Sequence, residues 1–222
     1  MERLPIAESS RMETKPVSTI TLALSFFAVL SVEWIVGLVS PGPSLKATGA
    51  ARVVQILLML WIAKSFGGGL ALIGLECSGW FHGFRRGLLW SLAFGAAALV
   101  FYFLLLAAGV NALALIRAPK PNKLQDIVLL VVVGGILAPV AEEIFFRGVL
   151  YGFLRRWGVA AALIVATLLF VLSHPLDRGV PFTQIAGGLV FALAYEWEGN
   201  LLVPIVIHVL GNLAIFAVSI LS

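Results

Sequence analysis

The sequence predicts an all-α, polytopic membrane protein, a helical bundle of about seven spans, on two observations. Of its 222 residues 61% are hydrophobic and only 12% are Asp, Glu, Lys or Arg, with a mean hydropathy of +1.06; that is about half the charged share of a soluble domain, too little polar surface to solvate a globule of this size. Apolar runs long enough to cross a bilayer as helix also recur along the chain, separated by short polar connections. Together these exclude a disordered chain, a disulfide scaffold and a water-soluble nucleic-acid binder, the last despite a net charge of +4 and a pI near 9.6. The positive excess suits anionic lipid headgroups. The single Cys77 has no intramolecular partner and reads as inert filler.

Residues 1–16, with Glu2, Arg3, Glu8, Arg11, Glu13 and Lys15 and no apolar stretch, read as a disordered tail rather than a cleaved signal peptide. The first span runs from about Val17 to Val39, interrupted only by Glu33 and ended by Ser40, Pro41, Gly42 and Pro43. The second runs from near Val53 to Ile73 and contains Lys64, a candidate partner for Glu33, and the triplet Gly67, Gly68, Gly69. Residues 76–86 mix Glu76, His82, Arg85 and Arg86 with Trp80, Phe81 and Phe84, which suits a segment lying in the headgroup region without crossing.

The third span is Leu88 to about Val110, completing an N-terminal helical unit of 17–110. The fourth begins near Ile127 and runs through Glu142, Glu143 and Arg147 to Arg155 and Arg156, too long for a bilayer unless it projects or breaks near Pro139. Spans five to seven follow at about 159–174, 182–197 and 200–221. Glu196 and Glu198, flanking Trp197 at a span end, read as rim charges in water.

Ionisable groups inside spans cost about 2.5 to 3.5 kcal/mol each on insertion scales, so each needs a partner or a purpose. Glu143 and Arg147 are four apart, neighbours on one helix face, and pair with each other. Glu142 lies about 100° round the helix and is the carboxylate left free to act as a base. His208 and Asn212 are also four apart, so an imidazole and an amide share one space and can both donate to an oxyanion. His174 closes its helix because Pro175 follows.

These three pieces, in this order, resemble the CPBP (Abi) family of CAAX prenyl endopeptidases and bacteriocin-processing or immunity-associated membrane proteases. The EExxxR motif is Glu142, Glu143, Ile144, Phe145, Phe146, Arg147; the FxxxH motif is Phe170 to His174; the HxxxN motif is His208 to Asn212. The resemblance covers 126–221, the expected catalytic core. It implies a membrane endopeptidase in which Glu142 and His174 activate water, His208 and Asn212 hold the tetrahedral oxyanion, Glu143 and Arg147 support the site, and no cofactor is used. Its partners would be membrane lipids and a membrane-associated peptide or protein substrate, in the cell membrane, with no nucleic acid.

The nearest rival is a zinc-dependent protease in which Glu142, His174 and His208 hold the metal and leave a position for water. HExxH is absent, and Asn212 is a poor zinc ligand but a good oxyanion donor. A serine protease is disfavoured because the Gly-x-Ser at Gly42 to Ser44 lies in a Pro-rich connection. From another class, the same residues could form a proton relay in a transporter or belong to a non-catalytic immunity protein.

Overall fold

The computed structural model describes residues 16–42, 44–111, 121–174 and 181–221. The described residues form seven helices and no strand: α1 (Thr19–Val39), α2 (Leu45–Phe66), α3 (Trp80–Ala107), α4 (Leu124–Trp157), α5 (Val159–Leu172), α6 (Phe182–Glu198) and α7 (Leu202–Leu221). α1, α2, α4, α7 and the segment Cys77–Ala107 that contains α3 are long and apolar enough to cross a membrane. α5 has 14 residues, about 21 Å of helix, and is the short member. The protein is an integral, multi-pass membrane protein.

The local sequence sets where the helices begin. Ser18 caps α1 by accepting from the Thr21 amide at 3.1 Å, and Ser44 caps α2 through the Ala47 amide at 3.3 Å. α2 therefore starts at Leu45, well before Val53, because the cap and not the first purely apolar residue decides the start. The tail expected over 1–16 lies almost wholly outside the described residues. α3 begins at Trp80, directly after a short turn at Cys77–Gly79. Most of the segment expected to lie apart at the interface is thus the opening turns of one 28-residue helix, about 42 Å long against a hydrocarbon core of about 30 Å.

Contacts among helix ends define one closed end of the bundle. Val17 N–H donates to Gly152 O at 3.3 Å, Leu201 N–H to Gly74 O at 3.0 Å and Asn200 Nδ2 to Gly79 O at 3.0 Å. Asn200 lies so close to Gly83 that a Cβ there would meet its amide at 2.6 Å. Arg86 grips Glu198 through Nε and Nη2, Trp90 Nε1 donates to the same carboxylate at 2.8 Å, and Arg155 with Tyr151 holds Glu196. Glu196 and Glu198 are therefore not free rim charges: each ties α6 to another helix.

Of the roles open to Glu33, pairing with Lys64 is not the one the structure shows. Glu33 on α1 accepts from Arg52 Nη1 at 2.5 Å and from Gln55 Nε2 at 2.9 Å, both on α2. α7 sits against α3, α4 and α6. Outward-facing residues such as Phe27, Trp34 and Leu92 are apolar and exposed, the pattern of a surface solvated by lipid.

Candidate active site

The site is built on the middle of α4, which does not break at Pro139 but changes its winding. Leu130–Leu137 and Ile144–Tyr151 are π-helical, on either side of an α-helical stretch Ala138–Glu143 that carries both carboxylates. Such insertions bend a helix and turn side chains without ending it. The Ala138 amide donates to Val133 O, five residues back, instead of to Gly134 O. The donor that would reach Gly134 O in the π register is residue 139, a proline with no N–H. Gly134 O is thus left without a backbone donor, and Asn212 Nδ2 from α7 supplies one at 3.0 Å.

Glu143 is fully buried and its Oε1 accepts from Arg147 Nη1 at 2.8 Å and from His208 Nδ1 at 2.7 Å. Arg147 extends Nη2 to Gly188 O on α6 at 3.0 Å. The Phe170 and Phe191 rings lie against its guanidinium at 4.5 and 5.3 Å. Phe191 also stacks on His208 at 4.6 Å with the planes 23° apart. Glu143 Oε2 and Arg147 Nε are buried without a partner among the described residues, an arrangement native structures keep rare because each such atom costs free energy.

Glu142 stands apart from that network. Its side chain is 22% exposed and its Oε2 lies 3.8 Å from His208 Nε2, and among the described residues it makes no hydrogen bond. His174, just beyond α5, packs on Phe170 at 4.7 Å, and His208 packs on the same ring at 5.8 Å. His174 Nδ1 is 2.8 Å from Phe170 O; a carbonyl only accepts, so Nδ1 carries the hydrogen and Nε2 is left as an acceptor.

The structure therefore gathers Glu142, Glu143, Arg147, His208 and Asn212 along the α4–α7 contact, with His174 reaching the same aromatic ring from α5. Phe191, Gly188 and Gly134 are the members that motif spacing missed. Gly187 and Gly188 within an apolar helix were the available signal, since paired glycines mark close approach. Among the described residues no three His, Cys, Asp or Glu side chains form a group that could hold a metal ion.

Residues 124–214 match the family model described as type II CAAX prenyl endopeptidase Rce1-like. Over that stretch the chain is similar to the CAAX protease (CPBP) family. Among curated proteins, the chain is 37% identical over 84 residues to the membrane-embedded CAAX protease MroQ of Staphylococcus aureus (strain USA300), covering 35% of the chain and 34% of that protein. It is 30% identical over 125 residues to an uncharacterized 24.3 kDa protein of Escherichia coli, covering 51% and 57%. It is also 37% identical over 86 residues to the uncharacterized protein YpbD of Bacillus subtilis (strain 168), covering 38% and 42%. The chain thus spans between a third and three-fifths of the length of these relatives. No solved structure matches it.

Proposed function

We propose that the protein is an intramembrane endopeptidase that hydrolyses a peptide bond of a membrane-associated protein or peptide without a metal ion, in the cell membrane. The observation that carries this reading is the division of labour between two adjacent carboxylates. Glu143 is occupied by Arg147 and His208, while Glu142 makes no hydrogen bond among the described residues and faces the other nitrogen of the same imidazole.

Glu142 accepts a proton from a water whose other hydrogen points to the His174 Nε2 lone pair, and the oxygen adds to the carbonyl carbon. The oxyanion accepts from His208 Nε2–H and from the second Nδ2 hydrogen of Asn212, the first being held by Gly134 O. For His208 to donate through both nitrogens the ring must be imidazolium, so that Glu142, Glu143, Arg147 and His208 sum to zero charge. The C–N bond then breaks and Glu142 returns its proton to the leaving amine.

Membrane peptides compared between cells carrying wild type and Glu142→Ala test this directly: products that depend on Glu142, with normal insertion of the variant, are expected. Purified protein that loses turnover with a chelator and regains it with zinc would favour the metal-dependent rival. Unchanged membrane peptides would leave a non-catalytic immunity or transport role.

A further inference from the structure

The proposed chemistry leaves one buried polar cluster unused, on α1 and α2. Gln55 is fully enclosed and donates through Nε2 to Glu33 Oε1 at 2.9 Å, with the Val29 carbonyl at 3.4 Å. Arg52 Nη1 donates to Glu33 Oε1 at 2.5 Å and to Gln55 Oε1 at 2.6 Å. Every one of these bonds uses one side of each ion. Among the described residues Arg52 Nε is buried without a partner, Arg52 Nη2 has none either, and Glu33 Oε2 makes no bond. Because Nε is enclosed, Arg52 Nη2 and Glu33 Oε2 are the two atoms left open to a ligand, and a guanidinium N–H donates readily to a phosphate oxygen.

The opening faces lipid. Glu33 has a side chain 46% exposed, and it sits between Leu30 and Trp34, exposed by 48% and 68%. Depth fits a headgroup. Arg52 lies seven residues into α2, about 10 Å from its start, and a helical side chain leans toward the N-terminus of its own helix, so the guanidinium rises toward the membrane surface. Trp34 beside Glu33 is a residue type that sits at that level.

A ligand that completes both ions must offer an anionic phosphate to Arg52 and a hydrogen-bonding ammonium to Glu33. An anionic lipid without an amine satisfies only Arg52 and meets the bare Glu33 oxygen as a like charge. A quaternary ammonium headgroup has no N–H to give. We infer that the Glu33–Arg52–Gln55 cluster is a binding site for a zwitterionic lipid headgroup carrying a primary amine, phosphatidylethanolamine.

Native mass spectrometry of the full chain titrated with phosphatidylethanolamine, phosphatidylcholine and phosphatidylglycerol of matched acyl chains tests the site. Phosphatidylethanolamine should be retained best. Arg52→Gln should lower its apparent affinity about tenfold, the loss of one charge-assisted contact. Glu33→Gln should bring it down to the phosphatidylcholine level while leaving phosphatidylcholine unchanged. If Arg52→Gln does not fold, Arg52→Lys keeps the charge opposite Glu33 but loses the outward Nη2, and should still weaken binding severalfold. Equal retention of the three lipids, preference for phosphatidylglycerol, or affinity indifferent to Arg52 would overturn the proposal.

Discussion

At the closed end of the bundle, Glu198 accepts three hydrogen bonds from Arg86 and one from Trp90, and Glu196 is held by Arg155 and Tyr151. In the middle of α4 the carboxylates are treated the other way: Glu143 loads two donors on one oxygen and leaves the other bare and buried, and Glu142 is bonded to nothing among the described residues. Both regions are carboxylates among aromatics and arginines in an apolar bundle. The difference is saturation. A saturated ion pair stays as it is and ties helices together, whereas unsatisfied polar atoms in a low-dielectric setting hold interaction energy in reserve for a substrate or a transition state.

The largest expected effect breaks the unsaturated side alone. Glu142→Gln keeps shape and removes the proposed base, so turnover of a membrane peptide should fall by about 10²- to 10⁴-fold, while thermal unfolding in detergent stays within about 0.5 kcal/mol of wild type. A variant that loses stability in step with activity would place Glu142 among the pins.

Asn212→Ala comes next and should strike both properties. Removal of the proposed oxyanion donor should cost about 10² to 10³ in kcat, and loss of the one side-chain donor to Gly134 O among the described residues about 1 to 3 kcal/mol of stability. The joint signature is diagnostic, because an amide that served only α4 would change stability and leave kcat alone.

These assignments differ in how far the amino-acid sequence could carry them. The Glu143–Arg147 pair was legible because it lies within one helix, where spacing of four residues fixes a shared face. That His208 and Glu143 meet was not, since the pair is 65 positions apart and joins two helices. The choice of Arg52 over Lys64 for Glu33 likewise depends on how α1 and α2 slide along each other, which composition does not encode. Glu196 and Glu198 looked like free end charges because their partners lie 41 and 112 positions away. Pro139 did announce an irregularity. Its outcome, a change of winding that strips Gly134 of its donor and recruits Asn212, required the packing of α7.

Glu198→Gln gives the third, converse result. Its side chain is 6% exposed and Arg86 is 34% exposed, so solvent softens the loss, and about 1 to 2 kcal/mol of destabilisation with kcat within twofold is expected. Equal damage to kcat would mean that the closed end transmits strain to the site and that the two regions are not independent.

The smallest effect sharpens the same contrast on the early helices. Lys64 stands in the last turn of α2 and has no ion pair among the described residues, whereas Arg52 on the same helix holds both Glu33 and Gln55. Lys64→Ala should therefore change thermal stability by less than about 0.5 kcal/mol. Arg52→Ala leaves a buried Gln55 and a carboxylate short of a donor and should cost about 1 to 3 kcal/mol. If the two variants were equally mild, the α1–α2 cluster would be dispensable to folding, and its retention of a charge pair inside a lipid-facing surface would have to be explained by what binds there rather than by what it holds together.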